Sequence, residues 1–282
     1  METVSTIAAF RAALDERRAA GRTVGLVPTM GALHAGHVSL MEASVADRCA
    51  TAATVFVNPL QFAPTEDLSA YPRPFEDDKA KAESAGVDLL FHPSVEEMYP
   101  EPVLTNVHVE RVSARLEGAS RPTHFDGVAT VVNKLFSMAG PCRAYFGEKD
   151  WQQLQVVTRM AHDLSMPVEV VGCPIVRDHD GLALSSRNVY LDAEQREAAP
   201  VIQLALKAGV ASIQAGERST EAVNELMASI IEAEPLAQLD YAEVVRADTL
   251  DPVDPLVGPL RLLAVARFGT TRLLDNLGLD LP

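Results

Sequence analysis

The chain has 282 residues, and its 24 Lys and Arg against 39 Asp and Glu give a formal net charge of −15. A surface this acidic repels phosphate backbones, so we expect no nucleic-acid partner and favour small-molecule substrates. Apolar residues make up 48% of the chain, which is typical of a globular protein with a large core.

The first 18 residues mix Glu, Arg and Asp with alanines and lack the hydrophobic region of a signal peptide. The sequence has no run of about 18 apolar residues, so we expect no membrane partner and a cytoplasmic location. The chain has an odd number of cysteines, and they are widely spaced: Cys49, Cys142 and Cys173. This spacing indicates buried thiols rather than a disulfide framework or a zinc site.

Short apolar runs alternate with Ala-rich segments of helical periodicity over roughly the first 175 residues. This alternation is typical of parallel strands joined by crossover helices, so the sequence predicts an α/β fold. The predicted strands are residues 23–27, 51–57, 87–91, 143–146 and 167–171. The predicted helices are residues 38–48, 75–85, 127–138 and 151–164.

After Cys173 the alternation of short apolar runs with helical segments ends. We predict a loop at residues 177–188, one long Ala-rich helix at 192–215 and another helix at 219–233. Apolar and polar residues alternate over 241–246 and 261–266, which predicts two strands. A Pro- and Asp-rich turn at 251–259 separates them. We therefore predict two domains, residues 1–175 and a smaller α+β domain of residues 176–282.

The segment VGLVPTMGALHAGHVSL, residues 24–40, leads from a buried strand through a Gly-containing loop into a helix. His34 and His37 lie at the start of that helix, where backbone N–H groups and the helix dipole favour an anion such as phosphate. Gly31 and Gly36 have P-loop spacing, but His37 stands where that motif requires Lys, and G-x-G-x-x-G is absent. On this segment alone, one helix-capping and one packed histidine explain the pattern as well as a phosphate site does.

His34 to His37 also have the H-x-G-H form of the adenylate-forming and nucleotidyl-transferring superfamily, whose downstream partner motif ends in Ser-Lys or Ser-Arg. Residues 184–187, with the sequence LSSR, resemble that partner. Hydroxyls and a guanidinium on a loop suit the β- and γ-phosphates of ATP, because Arg binds phosphate as a bidentate fork.

Six blocks narrow the resemblance: PTMGALHAGH, FVNPLQF with a following YPR, RPTHFDGV, FGEKDWQQ, DGLALSSRN and ARFGTTRLLDN. In this order they resemble the pantoate–β-alanine ligase (pantothenate synthetase) family over residues 24–276. The resemblance implies a homodimer and a Rossmann-like N-terminal catalytic domain, residues 1–175, that binds ATP and pantoate. We expect residues 176–282, with the loop that carries residues 185–187, to act as a lid that keeps water from the reaction intermediate. It also implies magnesium-dependent condensation of pantoate with β-alanine, with release of AMP and pyrophosphate from ATP.

The resemblance also implies roles for individual residues. It makes His37, His34 and Lys149 catalytic, and either a protonated or a neutral imidazole can donate to phosphate. Gln61 and Gln153 bind pantoate, and Asn58, Arg121 and His124 are candidate supporting residues. The residues expected to bind ATP are Met30, Gly31, Ala32, Leu33, His34, Ala35, Gly36, His37, Gly147, Glu148, Lys149, Asp150, Val176, Leu184, Ser185, Ser186 and Arg187.

The sequence gives no magnesium ligand set, since the ion often binds mainly through phosphates and water. Asp77 and Asp78 are candidate outer ligands, although a solvated helix face explains them better. The alternative function is a nucleotidylyltransferase of the same superfamily that acts on a cofactor precursor. An aminoacyl-tRNA synthetase fits this length and charge less well, and a nucleotide-sensing module without turnover stays open.

Overall fold

The structure is a computed structural model, and it describes residues 1–63 and 68–281. The chain divides into two compact units. Unit 1 consists of Met1–Glu148 and Gln152–Pro174, and unit 2 consists of Lys149–Trp151 and the residues from Ile175 onward. Within the described residues, no helix is both long and apolar enough to span a membrane.

Unit 1 contains a parallel sheet of six strands in the order β1-β4-β3-β2-β5-β6. All residues of β3 and all but one of β2 are buried, as expected for central strands covered on both faces. The strands are β1 (Glu2–Val4), β2 (Val24–Thr29), β3 (Ala50–Val55), β4 (Leu89–Phe91), β5 (Cys142–Gly147) and β6 (Val168–Cys173).

Helices connect these strands. The longest, α6, buries eleven of its residues, including Phe125, Leu135 and Phe136. Close packing of α2 on β2 requires glycine at position 25, because a Cβ there would overlap the Ser44 hydroxyl. The helices are α1 (Ile7–Ala19), α2 (Ala35–Ala46), α3 (Phe75–Ser84), α4 (Val95–Met98), α5 (Glu117–Ser120), α6 (His124–Ala139) and α7 (Trp151–Asp163).

Unit 2 combines an antiparallel sheet, in the order β7-β8-β9, with three helices. Its core contains Leu206, Val223, Met227, Leu262 and Phe268, all fully buried. The elements are α8 (Ala193–Ala198), α9 (Val201–Gln214), α10 (Thr220–Glu232), β7 (Ala237–Arg246), β8 (Pro259–Phe268) and β9 (Thr271–Asp280).

The structure confirms the α/β fold with a parallel sheet and a smaller antiparallel sheet. The prediction of one helix over residues 192–215 is wrong, because α8 ends before Ala199 and Pro200. Proline has no N–H to continue the helical bonds, and its ring crowds the preceding turn. β1, α1 and β9 are further elements, which were not predicted from the sequence. The assignment of catalytic and lid roles to residues 1–175 and 176–282 stays a prediction.

Candidate active site

Three neighbouring strands of unit 1 end beside residues that the sequence analysis selected. The order β3-β2-β5 is central in the sheet, and all its pairs are parallel. Gln61 follows β3, His34 follows β2, and Glu148 follows β5. Open α/β sheets bind ligands at the carboxyl ends of their strands, so these positions match an established type of binding site.

His34 and His37 form a reciprocal capping box at the start of α2. The Nδ1 atom of His34 accepts the Gly36 N–H at 3.1 Å, and the Nδ1 atom of His37 accepts the His34 N–H at 3.4 Å. The ring centroids lie 4.1 Å apart. A ring nitrogen that accepts an N–H bond carries no proton itself, so this geometry places the proton of each neutral ring on Nε2. Helix capping and phosphate binding are therefore compatible, because they use different ring nitrogens.

The loop before His34 is held by α3. Gly31 and Ala32 have positive φ angles of 84° and 50°, and the Asp78 carboxylate fixes this turn by accepting the Ala32 N–H at 2.9 Å and the Leu33 N–H at 2.6 Å. Asp78 is fully buried, and this burial raises the pKa of its carboxyl. The two amides are engaged by Asp78, so the histidine rings are the better phosphate donors in this segment.

The interpretation of Asp77 and Asp78 as a solvated helix face is wrong for Asp78, because the loop covers its carboxylate. For Asp77 it is confirmed: this exposed side chain pairs with Lys81 at 2.6 Å, one turn further along α3. Lys81 also donates to the Leu33 carbonyl at 2.7 Å. Both buried and exposed faces of α3 therefore contribute to the conformation of this loop.

Asn58 has an amide whose orientation is fixed by its neighbours. Its Oδ1 accepts the Leu60 N–H at 3.3 Å and the Tyr99 hydroxyl at 2.9 Å, whereas its Nδ2 donates to the Gly127 carbonyl at 3.1 Å. A backbone N–H can only donate and a carbonyl can only accept, so oxygen and nitrogen cannot be exchanged here. A Cβ on Gly127 would overlap the Leu60 carbonyl, which explains why α6 can approach this turn.

Asn58 in turn orients Gln61, which is buried at the end of the Pro59–Gln61 3₁₀ turn. The Nδ2 atom of Asn58 donates to Oε1 of Gln61 at 3.2 Å, so Nε2 of Gln61 faces elsewhere and lies 2.8 Å from the Met30 sulfur. His124 and Arg121 contact the Gln61 carbonyl at 3.0 and 3.4 Å. Gln61 is thus a preoriented amide donor next to Met30, the first residue of the segment that is expected to bind ATP.

Two adjacent glutamines on α7 have different surroundings. Gln153, the predicted pantoate ligand, is half-buried in the first turn. Gln152 is buried; it accepts the Glu117 N–H at 3.0 Å and donates to the Val112 and Arg115 carbonyls, both at 2.8 Å. This structural role of Gln152 was not predictable from the sequence, because its partners lie more than 30 residues earlier, in the turns at residues 112–115 and at the start of α5.

In unit 2, the structure brings together Lys149 and Ser185, which line one pocket with Asn188 and Asp275. The Lys149 side chain is mostly buried, and its ammonium lies 3.8 Å from the Asp150 carboxylate. Ser185 accepts the Arg187 N–H at 3.2 Å and so begins the Ser186–Tyr190 3₁₀ turn.

Val176 and Leu184 are also adjacent in unit 2, because the Leu184 N–H donates to the Val176 carbonyl at 3.0 Å. The selected residues therefore form local groups in each unit. His34, His37, Gln61 and Gln153 belong to unit 1, whereas Lys149, Asp150, Val176, Leu184 and residues 185–187 belong to unit 2.

Among residues 1–63 and 68–281, no acidic cluster fits a dedicated magnesium cage. Asp78 is engaged by two backbone amides and Asp77 by Lys81. In the part of the chain that the structure describes, one cluster has metal-ligand spacing, and it consists of Asp178, His179 and Asp180. The two carboxylates of that exposed cluster already bind the Arg196 guanidinium at 2.7 and 2.5 Å.

The parallel sheet, the H-x-G-H capping box and the LSSR loop define a nucleotidylyltransferase-like α/β enzyme. The family model described as Pantoate-beta-alanine ligase matches residues 2–278. The chain therefore belongs to the pantoate–β-alanine ligase family, whose enzymes join pantoate to β-alanine.

Individual relatives agree with this assignment. A pantothenate synthetase of Geobacillus kaustophilus is 47% identical over 282 residues, covering 100% of this chain and 94% of the relative. The crystal structure of pantothenate synthetase from Thermus thermophilus is 51% identical, with a TM-score of 0.93 and coverage of 98% and 99%. That of the Francisella tularensis ligase, complexed with β-γ ATP and β-alanine, is 30% identical, with a TM-score of 0.78 and coverage of 98% and 97%.

Proposed function

We propose that this chain makes pantothenate in two steps, through a pantoyl adenylate formed from pantoate and ATP. The capping box of His34 and His37 carries this proposal, because it keeps the proton of each ring on Nε2 while Nδ1 holds the helix. Two neutral N–H donors and the positive end of α2 are suited to the phosphates of a nucleotide. The Francisella relative, whose structure contains β-γ ATP and β-alanine, supports the choice of substrates.

In the first step, a carboxylate oxygen of pantoate attacks the α-phosphorus of ATP. A new oxygen–phosphorus bond forms, and the bond to the bridging oxygen breaks as pyrophosphate leaves with the electron pair. His37, His34 and the Lys149 ammonium stabilise the charge that builds on the phosphate oxygens. Ser185, Ser186 and Arg187 hold the β- and γ-phosphates.

The remaining ATP contacts are backbone and packing contacts in the same segments. Leu184 and Val176 pack against the adenine, as their adjacent positions permit. The other residues that we assign to contact ATP are Met30, Gly31, Ala35, Gly36, Gly147, Glu148 and Asp150. Ala32 and Leu33 shape the ATP segment through their bonds to Asp78.

Gln61 and Gln153 bind pantoate. The orientation of Asn58 makes Nε2 of Gln61 the atom that meets substrate, so Gln61 donates to a pantoate oxygen. An amide suits this role because it adds no charge next to a carboxylate that must approach the anionic triphosphate.

In the second step, the neutral amine of β-alanine attacks the carbonyl carbon of the adenylate. The carbon–nitrogen bond forms, the bond to the AMP oxygen breaks, and the amine proton leaves to solvent. Alignment of the two substrates supplies most of the rate enhancement, and no covalent enzyme intermediate is needed.

The proposal also includes magnesium, the oligomeric state, the cellular location and the role of residues 176–282. Magnesium enters with ATP on its phosphates and waters, because neither acidic cluster offers it a cage. The enzyme is a homodimer that acts in the cytoplasm, where ATP is available. Residues 176–282 exclude water from the adenylate, and shortening the 177–188 loop should therefore increase adenylate hydrolysis.

Exchange of labelled pyrophosphate into ATP, measured with pantoate and magnesium but without β-alanine, tests the first step. We expect exchange that requires pantoate, and formation of AMP and pantothenate once β-alanine is added. Folded protein that binds ATP but shows no pantoate-dependent exchange would contradict the proposal. A product that retains AMP would instead identify the nucleotidylyltransferase alternative.

A further inference from the structure

Two buried polar residues at the end of the ARFGTTRLLDN block have no role in the proposed chemistry. Asp275 and Asn276 lie on β9 and are only 4% and 1% exposed. A buried carboxylate and a buried amide are costly unless their polar atoms are bonded, so their partners indicate why they are there. Those partners belong to the segments of unit 2 that carry the residues proposed to bind ATP.

Asn276 is bonded to the main chain of Lys149. Its Nδ2 donates to the Lys149 carbonyl at 2.7 Å, and its Oδ1 accepts Nε–H of Arg261 at 2.6 Å. Arginine can only donate and a carbonyl can only accept, so the amide has one orientation. The Arg261 guanidinium also lies 3.7 Å from the Trp151 ring centroid, and Trp151 donates to the Ala247 carbonyl at 2.8 Å. The segment around Lys149 is thereby anchored to the sheet of unit 2.

Asp275 is bonded to the other ATP segment. Its two carboxylate oxygens accept the Arg177 guanidinium at 2.5 and 2.9 Å, in the bidentate geometry that fixes both partners. Arg177 also donates to the Gly181 carbonyl at 3.0 Å, inside the loop that leads to Ser185. Asp275 itself lines the pocket that contains Lys149 and Ser185.

We propose that the Asp275–Asn276 pair is a positioning element for the ATP phosphates. Asn276 sets the main-chain path at Lys149, and Asp275 acts through Arg177 on the loop that carries Ser185. The inference rests on the proposed function, since it takes Lys149 and Ser185 as phosphate ligands. Neither Asp275 nor Asn276 needs to touch ATP, so both are positioning residues.

A double-mutant cycle between Asn276 and Lys149 tests the inference, because residues that act through one another are not additive. Asn276→Ala should lower pantoate-dependent pyrophosphate exchange about fivefold to tenfold, the scale of one lost hydrogen bond. In a Lys149→Ala background the same substitution should change the rate by less than about twofold. An equal loss in both backgrounds would overturn the proposal.

Two further variants separate positioning from general stability. Asn276→Asp keeps an acceptor for Arg261 and removes the donor to Lys149, so we expect it to lose the same activity as Asn276→Ala; wild-type activity would contradict the proposal. Asn224→Ala is the matched control, because Asn224 accepts the Val244 N–H at 2.8 Å elsewhere in unit 2. It should leave exchange unchanged in both backgrounds.

The dissociation constant of ATP, measured by calorimetry on the same folded variants, provides an independent reading. Asn276→Ala should weaken ATP binding only where Lys149 is present. If the wild-type protein shows no exchange, the proposed function fails, and the ATP cycle alone decides the positioning role. Additive effects on ATP binding would then overturn it.

Discussion

Replacement of Gln152 by alanine should destabilise unit 1, whereas the same replacement at Gln153 should mainly weaken pantoate binding. The Gln152 side chain is 2% exposed and makes three hydrogen bonds of 2.8 to 3.0 Å to the backbone of residues 112–117. A net contribution of about 1 kcal/mol for each bond gives an expected loss of about 3 kcal/mol. Gln153 is half-buried, and its replacement should cost less than about 1 kcal/mol.

Urea-induced unfolding and hydrogen exchange together measure this difference. Gln152→Ala should lower the unfolding midpoint and accelerate exchange of the Glu117 amide by about 100-fold, the equivalent of roughly 3 kcal/mol. Gln153→Ala is the matched control, with nearly unchanged exchange at Glu117 and a raised KM for pantoate. Equal stability of the two variants, or a changed pantoate KM in a fully stable Gln152→Ala protein, would refute the reasoning.

Substitutions at two other residues and one labelling experiment test further contacts. His37→Ala should slow adenylation by about 10²- to 10³-fold. His37→Gln should retain more activity than His37→Asn, because its amide N–H replaces Nε2–H; the reverse order in single-turnover rates would contradict the assigned tautomer. Tyr99→Phe removes the hydroxyl that orients Asn58, which in turn orients Gln61. It should raise the pantoate KM about twofold to tenfold at constant kcat. An unchanged KM would show that the Tyr99 hydroxyl does not influence pantoate binding through Asn58. Burial raises the pKa of Cys142 to about 12 and of Cys173 to about 11, so both thiols stay protonated at pH 8. They should therefore react with an aromatic disulfide only after unfolding in urea. Rapid labelling of Cys142 or Cys173 in the native protein would contradict this prediction.

The central strands were predictable because burial on both faces leaves a continuous apolar run. Residues 23–27 and 143–146 were predicted, and the strands are Val24–Thr29 and Cys142–Gly147. β9 was harder to recognise because its apolar positions are interrupted by two buried polar residues, Asp275 and Asn276, and by the exposed Gly278. β1 has only three residues, and its pairing with β4 depends on a contact almost 90 positions away.

The motif residues of the site were predictable from the H-x-G-H form and the six blocks, but their supporting contacts were not. Asp78 looks like any acidic residue in the first turn of a helix, yet it closes the loop at Ala32 and Leu33. Gln152 and Asn276 likewise act through backbone groups of distant segments. A hydrogen bond to a backbone group imposes no pattern on the partner sequence, so single-sequence reasoning has no signal for it.

Transfer of an oxygen atom from pantoate to AMP tests the central claim most directly. If the pantoate carboxylate attacks the α-phosphorus, pantoate labelled with ¹⁸O in both carboxylate oxygens must give AMP with one ¹⁸O atom in its phosphate. The second label stays in the amide carbonyl of pantothenate. We predict this distribution by mass spectrometry of both products. Unlabelled AMP from labelled pantoate, with the amide product still formed, would contradict the adenylate mechanism.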